Sequence, residues 1–354
     1  MFLHGIETVC INGMNKQVTI KDIAKIAGVS HSTVSRSLND SSLVSAKTKQ
    51  AIQRIARDLD FEFNASARSL STRKTGTVGV IFRAVFENTG TYFYLDMMLK
   101  GIRHAFEHVS LDSIIAYPRN PYTHQSNIQR MIRMKKVDGL LIVHPWVSLQ
   151  DWEFIQQSGI PYVVLHFKPK GVSYGDMDYI FADHEYGGYL AADYLIRSGN
   201  RRIVCITEDS SDLQFIERTA GFKRALAAAD IDLLPNSVIK GECSFDFGYQ
   251  MIHDHRGILD EIDAIFAEAD IIALGMMDAL KDLGLRVPED IRIMGYDDIE
   301  FGHMYRPRLS TVHQPREEMV RRGCEQLVRL MNQTSSKGEL QEVVLPELVI
   351  RQSC

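Results

Sequence analysis

Residues 19–39 read Thr19-Ile-Lys-Asp-Ile-Ala-Lys-Ile-Ala-Gly-Val-Ser-His-Ser-Thr-Val-Ser-Arg-Ser-Leu-Asn39, and this stretch decides the fold of the N-terminal region. Its first half has apolar residues at the 3.6-residue spacing of a helix, at Ile20, Ile23, Ala24 and Ala27. Thr19 and Asp22 stand three residues apart, as in a capping box. The first helix is therefore predicted to begin directly after Thr19.

A glycine-containing turn is predicted after this helix. Gly28 stands where a left-handed residue commonly ends a helix. Ser30 is suited to cap a second helix, whose buried face would carry Val34 and Leu38. Two short helices joined by such a turn form a helix–turn–helix, and periodicity alone leaves an ordinary surface helix as the alternative. A third helix capped by Ser45 would close the domain with Ile52, Ile55, Ala56 and Leu59.

The exposed face of the second helix carries small hydroxyl groups and long donors. Arg36 is expected to read a guanine, because arginine binds the O6 and N7 atoms of guanine in a bidentate manner. His31 and Ser32 lie at the start of the helix, from which base contacts are usually made. Thr33 and Ser35 are expected to contact phosphate groups.

The charge of the chain is divided unevenly. Residues 15–74 hold 11 Lys or Arg and 5 Asp or Glu, a net charge of +6, and residues 1–14 contribute −1 through Glu7. Because the whole chain carries −5, residues 75–354 carry −10. A basic module on an acidic body is typical of a DNA reader joined to a domain that does not touch DNA.

Short motifs spread along most of the chain carry a family resemblance. They are Val18-Thr-Ile-Lys-Asp-Ile-Ala-Lys-Ile-Ala-Gly-Val-Ser30, Thr33-Val-Ser-Arg36, Leu38-Asn39, Val44-Ser-Ala-Lys-Thr48, Val137-Asp-Gly-Leu-Leu-Ile142, Arg218-Thr-Ala-Gly-Phe222, Gly295-Tyr-Asp-Asp298 and Leu309-Ser-Thr-Val-His-Gln-Pro315. Over residues 15–354 the chain resembles the LacI/GalR family of bacterial repressors. The resemblance implies a cytoplasmic regulator, associated with the nucleoid when bound, that reads a palindromic operator as a homodimer under the control of a small molecule. It also implies DNA contacts by Thr19, Asn39, Ser45 and Thr48.

A hinge is expected between the DNA-binding domain (15–62) and the core (77–354). By resemblance, residues 63–76 form a helix on the operator through Asn64-Ala-Ser-Ala-Arg-Ser-Leu70. Ala67 would then face the minor groove, Leu70 would insert between base pairs, and Asn64 and Arg68 would also contact DNA. A simple flexible linker is the alternative, since so short a segment is marginal as an isolated helix. The family often has proline before the asparagine, where this chain has Phe63.

Short β-branched runs alternate with amphipathic stretches from Thr77 onward, which predicts an α/β core of parallel sheets. Strands are predicted at 78–82, 113–116, 139–143, 162–165, 203–207, 264–266 and 291–294. Helices are predicted at 95–108, 126–135, 186–198, 217–229 and 271–283. The resemblance implies a periplasmic-binding-protein-like core of two lobes around a cleft. Lobe 1 would comprise residues 77–182 and 314–342, and lobe 2 residues 183–313 and 343–354.

Ligands of α/β sheets bind beyond the carboxyl ends of the strands, so the effector-binding residues are expected there. Arg218, expected to open a helix, and Asp297 match ligand-contacting positions of the family, and such a pair suits sugar hydroxyls. Tyr92, Phe93 and Tyr94 are expected in a loop after the first strand, where an aromatic ring could stack on the ligand. Further candidates are Asp183, Phe245, Asp270 and Gln314. A sugar is the expected effector and a purine or nucleoside the alternative; the family's usual Asn-Asp is Ala269-Asp270 here.

Other classes of protein find little support in the sequence. No enzyme is expected, because the chain has no Gly-x-Ser-x-Gly elbow, phosphate-binding glycine loop or His-Glu-x-x-His motif. A solute-binding protein for transport is disfavoured by the DNA module and by an N-terminus unlike an export signal. Five scattered cysteines indicate no zinc or disulfide framework, and neither a metal nor a cofactor is expected. Residues 1–14 are expected to be an extension outside the fold. Met14 is the expected true start, with the preceding residues as translated upstream sequence, and a real disordered arm is the alternative.

Overall fold

A computed structural model describes residues 18–39, 41–61, 74–82 and 92–354. The chain separates into two compact units, Met1–Thr75 and Gly76–Cys354. The N-terminal extension predicted at 1–14 and the hinge residues Asn64, Ala67, Arg68 and Leu70 lie outside the described residues, so their expected roles stay predictions.

Three helices make up the described part of the first unit. They are α1 (Ile20–Ala27), α2 (His31–Leu38) and α3 (Ala46–Asp58). Ile23, Val34, Ile52 and Ala56 form their common core, with Leu38, Ile55 and Leu59 packed partly buried against it. The predicted helix–turn–helix is confirmed.

The helix ends are fixed by local polar contacts. The backbone N–H of Thr19 donates to Asp22 Oδ2 at 2.9 Å, as the capping box requires. Gly28 ends α1 in the left-handed region, with a φ of 65°. Ser30 accepts from the backbone N–H of Thr33 at 3.1 Å, and Ser45 accepts in the same way at the start of α3. Because these contacts span three residues or fewer, the sequence alone could predict them.

Two sheets of six strands form the frame of the second unit, as far as residues 76–354 are described. The first sheet contains β1 (Thr77–Phe82), β2 (Asp112–Ala116), β3 (Gly139–Val143), β4 (Tyr162–His166), β5 (Asp178–Ala182) and β11 (Gln341–Val344), in the order β11-β5-β4-β3-β1-β2. The second contains β6 (Ile203–Glu208), β7 (Val238–Gly241), β8 (Ala264–Ala267), β9 (Arg292–Tyr296), β10 (Ser310–His313) and β12 (Glu347–Val349), in the order β12-β10-β9-β8-β6-β7. All pairs are parallel except β10–β12.

Helices accompany both sheets. They are α4 (Tyr92–His108), α5 (Asn127–Arg133), α6 (Leu149–Ser158), α7 (His184–Arg197), α8 (Leu213–Ala228), α9 (Phe245–Asp254), α10 (Asp270–Asp282), α11 (Glu300–Met304) and α12 (Arg316–Met331), with a short 3₁₀ turn at Arg256–Ile258. Central strands such as β3 and β4 are wholly buried, which explains their continuous apolar runs. The predicted α/β architecture with two parallel sheets is confirmed. Within the described residues no helix is long and apolar enough to span a membrane.

The chain passes between the two sheets three times. It leaves β5 of the first sheet for α7, and it returns from β10 to α12, which packs on β3, β4 and β5. It then leaves β11 for β12 of the second sheet. These three segments connect the two lobes.

Two expectations about helix starts were wrong. Tyr92, Phe93 and Tyr94 begin α4 rather than lying in a loop, because Tyr94 stands one helical turn before Met98 and shares its buried face. Arg218 does not open its helix, since α8 already begins at Leu213. The prediction named no strand at β5, β7, β10, β11 or β12, and its examples of helices did not include α6, α9, α11 or α12.

Candidate DNA-binding and effector sites

The recognition surface of the first unit is the outer face of α2. His31, Ser32 and Arg36 are exposed, whereas Val34 and Ser37 are buried against α1 and α3. The hydroxyl of Ser30 is 2.8 Å from those of Ser32 and Thr33. The start of α2 therefore presents a compact group of hydroxyls beside the free imidazole and guanidinium groups.

The remaining DNA-binding candidates of the first unit lie at helix ends. Thr19 and Ser45 are the N-caps of α1 and α3, Asn39 is the C-cap of α2, and Thr48 lies in the first turn of α3. The first-turn N–H groups of a helix attract phosphate, so Thr19, Ser45 and Thr48 suit contacts to the DNA backbone, an argument that does not extend to Asn39.

Helices α7 and α8, both of lobe 2, approach each other closely beside the cleft. A Cβ atom on Gly188 would overlap the backbone oxygen of Arg218, and one on Gly221 would overlap the backbone oxygen of Glu185. Only glycine permits this packing, which fixes Arg218 of α8 beside His184, the first residue of α7.

Arg218 is buried, with 2% of its surface exposed. Its Nη1 donates to the backbone oxygen of Glu268 at 2.5 Å, and its Nη2 is 3.5 Å from Asp297 Oδ1. The guanidinium carbon lies 3.7 Å from the centroid of the Tyr296 ring and 5.0 Å from that of Phe215. These contacts hold the guanidinium group rigidly at the base of the cleft.

Asp297 follows β9 as predicted, in a strained conformation. Its φ is 114°, a region that non-glycine residues rarely adopt, and such strain is concentrated at functional sites. Gln314 Nε2 donates to Asp297 Oδ1 at 2.7 Å, and Arg316 Nη1 donates to its backbone oxygen. Burial raises the pKa of the Asp297 carboxyl to about 6, although Arg218 and Gln314 oppose this rise.

A second buried carboxyl, Glu268, lies behind Arg218. It accepts hydrogen bonds from Thr207 Oγ1 at 2.5 Å, Thr219 Oγ1 at 2.6 Å and Cys205 Sγ at 3.2 Å. Burial raises the pKa of Glu268 to about 7, and the three donors together with Arg218 lower it. Glu268 was not predicted as a site residue, because it belongs to no recognisable sequence motif.

Other selected residues have partners within the protein. Asp183 caps α7 by accepting from the backbone N–H of Tyr186 at 2.9 Å. Asp270 is fully buried and accepts from Thr311 Oγ1 at 2.6 Å and from the backbone N–H of Ile299 at 2.9 Å. These hydrogen bonds stabilise the structure around the two side chains.

The aromatic candidates do not converge on Arg218. The ring of Phe93 contacts Phe301, with centroids 4.6 Å apart, and so joins the two lobes. Phe245 begins α9 and packs, half-buried, against the core. Tyr92 begins α4.

A group of buried polar side chains lies at the cleft, and three of them, His166, His184 and Gln214, were not predicted from the sequence. We call it the cleft cluster: Tyr94, His166, His184, Gln214, Arg218 and Gln314. Each is at most 5% exposed, and each has a side-chain N or O atom without a hydrogen-bond partner among the described residues. Since buried polar groups in proteins are normally hydrogen-bonded, atoms of this kind call for an explanation, and a ligand supplies one.

The two histidines of the cleft cluster connect the lobes. The ring centroids of His166, at the end of β4, and His184 are 5.8 Å apart, and the ring of Tyr94 is 5.0 Å from that of His166. His166 has a φ of 69°, a second strained residue at the cleft. Burial and then Arg218 lower the pKa of His166 to about 3, and the same causes hold that of His184 well below its usual value.

The cleft is closed at its mouth by polar contacts between lobes. Lys168 Nζ donates to both carboxylate oxygens of Glu217, at 2.7 and 2.9 Å. Lys170 also donates to the backbone oxygen of Ser211. A narrow crevice lined by His166, Lys168, His184, Gln214 and Glu217 lies behind these contacts.

A helix–turn–helix unit and a two-lobed core with a polar cleft together define a ligand-responsive DNA-binding regulator. Comparison with known proteins agrees with this class. Residues 19–64 match the model of bacterial regulatory proteins of the lacI family, and residues 192–354 match that of a periplasmic binding protein-like domain.

Relatives cover almost the whole chain. The HTH-type transcriptional repressor PurR of Vibrio vulnificus (strain CMCP6) is 31% identical over 94% of this chain and 97% of its own length. The Lac repressor dimer bound to operator and an anti-inducer superposes with a TM-score of 0.76 at 25% identity, covering 96% of this chain and 99% of that one. The transcriptional regulator CelR in complex with cellobiose gives 0.67 at 27% identity, over 96% and 100%. The chain belongs to the LacI family and is a transcriptional regulator of the repressor type, not an enzyme.

Proposed function

We propose that this repressor releases or recruits its operator in response to a small polyol bound in the cleft between the lobes. The observation that carries the proposal is the cleft cluster, whose buried polar atoms lack partners among the described residues. A polyol offers donors and acceptors in several directions and could satisfy many of them at once.

The DNA-binding side of the proposal rests on α2. Arg36 and His31 are exposed on it and free to enter a major groove, while Ser32 and Thr33 lie at its N-terminus. The N-caps Thr19 and Ser45, together with Asn39 and Thr48, would hold the phosphates. The hinge residues Asn64, Ala67, Arg68 and Leu70 would add minor-groove contacts as two subunits of a homodimer meet on the operator, at the nucleoid.

The effector side rests on Arg218 and Asp297. Arg218 Nε is buried without a partner among the described residues, and Asp297 is paired with Arg218. The two walls of the cleft belong to different lobes, so a ligand held by both walls favours one lobe arrangement. If that arrangement also sets the spacing of the two DNA-binding units, ligand and operator are linked, and each changes the affinity of the other by the same factor.

A sugar is the preferred ligand class. The cleft cluster offers two amides, two imidazoles, a phenol and the guanidinium group of Arg218, and the aromatic rings of Phe93 and Phe301 contact each other. CelR, similar in fold, is known as a complex with cellobiose. A purine or nucleoside is the alternative, and its flat ring would have to stack on an aromatic side chain of the cleft.

Thermal unfolding of the full chain against sugars, sugar acids, sugar phosphates, purines and nucleosides tests this function. A ligand that binds the folded state raises the Tm by mass action. Operator fragments selected from random-sequence DNA with the purified protein would then be titrated with and without the ligand found. We expect a selective Tm rise and a changed operator affinity; a ligand that raises the Tm but leaves operator affinity unchanged would contradict the proposed control.

A further inference from the structure

We propose that the effector carries an oxyanion, a carboxylate or phosphate attached to a small polyol, and that this group lies between His166, His184 and Arg218. The inference rests on the proposed function, because it specifies the ligand of the same cleft. It follows from which atoms of the cleft cluster can donate a hydrogen bond.

The protonation of His184 follows from its neighbours. The Tyr296 hydroxyl lies 3.4 Å from His184 Nδ1, and the positive guanidinium of Arg218 lies against the Tyr296 ring. The cation favours the orientation in which the hydroxyl oxygen faces it and the hydrogen points to His184. With Nδ1 as acceptor, the neutral imidazole carries its proton on Nε2. This buried Nε2–H has no partner among the described residues.

Arg218 supplies a second donor of the same kind. Two of its nitrogens are engaged by Glu268 and Asp297, but its buried Nε–H has no partner in the described part of the chain. Since a guanidinium group can only donate, this atom also requires an acceptor. Two buried donors on the closely packed helices α7 and α8 suit an oxyanion, which accepts through every oxygen.

His166 and Gln214 complete the surroundings. His166 Nδ1 and both amide atoms of Gln214 lack partners among the described residues. Because both histidines are neutral, each can give an N–H group to an anion without first taking up a proton. The amide oxygens of Gln214 and Gln314 remain for the hydroxyl groups of the same ligand.

Helix N-termini and charged side chains of both signs surround the crevice. His184 and Gln214 lie in the first turns of α7 and α8, where the helix N-terminus attracts anions. Lys168 also lines the crevice. Lys168 is paired with Glu217, and the carboxylates of Asp183 and Asp212 stand at the N-caps of α7 and α8, so the oxyanion is selected by the N–H donors and not by a net positive charge. Tyr94, with a pKa raised by burial, stays neutral.

Matched pairs of ligands test the inference on the unmodified full chain. Isothermal titration would compare galacturonate with galactose, glucuronate with glucose, and glucose 6-phosphate with glucose, at constant ionic strength. We expect an acid to bind at least about tenfold more tightly than its neutral twin, the effect of one charge-assisted hydrogen bond. The carboxylate and phosphate arms show which oxyanion fits.

Variants of His184 distinguish anion binding in the cleft from anion binding elsewhere on the protein, for example to the basic first unit. His184→Leu removes the donor and should reduce the acid-to-neutral affinity ratio at least about tenfold, whereas His184→Gln keeps an N–H group and should restore much of it. His253→Gln, on the exposed face of α9, is the control and should leave the ratio unchanged. Unfolding without ligand checks that each variant folds.

The outcomes distinguish the two proposals. A neutral sugar or purine that binds as tightly as any acid, and that changes operator affinity, would overturn the oxyanion and leave the effector function standing. An acid preference that persists in His184→Leu would overturn the placement of the oxyanion. If no ligand class bound or affected operator affinity, both proposals would fail.

Discussion

Arg218 and Asp297 form an ion pair of 3.5 Å in which the two side chains are 2% and 6% exposed. Arg218 comes from α8 and Asp297 from the turn after β9, so the ion pair links a helix of lobe 2 to its sheet. Each charge would be costly to bury alone, and their mutual attraction does not by itself ensure a net gain in stability. The backbone of Asp297 is strained, and buried polar atoms without partners among the described residues lie beside the pair. We infer that the ion pair serves ligand binding.

Replacing Arg218 with lysine should impair the ligand response specifically. Lysine keeps the charge but cannot bind Glu268, Asp297 and a ligand through one planar group. We expect ligand affinity to fall about 30-fold or more, with operator affinity in the absence of ligand within about twofold of the original. Titration calorimetry and DNA anisotropy measure the two affinities.

Arg224→Lys on the same helix is the matched control. Arg224 is half exposed, pairs with Glu185 at 3.0 Å and lies over Tyr189. This variant should bind ligand normally. Equal ligand affinities of the Arg218 and Arg224 variants would rule out the role given to Arg218.

Glu268 should make the stability of the protein depend on pH. Its pKa is about 7 in the folded chain and 4.5 when unfolded, so the folded state holds the proton between these values. The stabilisation is therefore complete below pH 4.5 and is lost as pH rises to about 7. Glu268→Gln imitates the protonated acid and should remove up to about 3 kcal/mol of this decline.

Urea unfolding at pH 5 and pH 8 measures the effect of Glu268. The difference in unfolding free energy between the two pH values should be smaller in Glu268→Gln than in the original chain. An identical difference in both proteins would show that Glu268 is not protonated in the folded state near neutral pH.

Gly221 should not tolerate a side chain. A Cβ atom there would overlap the backbone oxygen of Glu185, which cannot move without separating α7 from α8. We expect Gly221→Ala to cost about 1–3 kcal/mol of unfolding free energy. Gly257→Ala is the control, because its Cβ would meet open space. Urea unfolding would contradict the packing account if both variants were equally stable.

Arg36 should determine one base of the operator. Arg36→Ala removes a bidentate donor and should relax the preference at that position by about 1–3 kcal/mol. Arg197→Ala, a 77% exposed arginine of α7, should leave base preference unchanged. Anisotropy with single-base operator variants measures this, and an unaltered preference profile in Arg36→Ala would reject the contact.

The parts predicted from sequence are those fixed by local interactions. The caps at Thr19, Ser30 and Ser45 and the left-handed Gly28 depend on residues at most a few positions away. The buried central strands were recognisable as apolar runs. By contrast, β11 and β12 are short and half exposed, and their pairing partners lie far away in the sequence.

The cleft residues show where sequence reasoning ended. Arg218 and Asp297 were identified through the family resemblance, and their pairing needed the fold. His166 lies at the carboxyl end of β4, where the same rule that selected Asp297 could have found it. His184 directly follows the selected Asp183, but no local pattern distinguishes a buried histidine that lacks a partner from one in an ordinary core.

The linkage between ligand and operator tests the central claim most directly. Ligand affinity would be measured with and without saturating operator, and operator affinity with and without saturating ligand. The account predicts that both affinities change by the same factor, at least about fivefold, and that Arg218→Lys abolishes the effect. Ligand binding in the cleft with no change in operator affinity would contradict it.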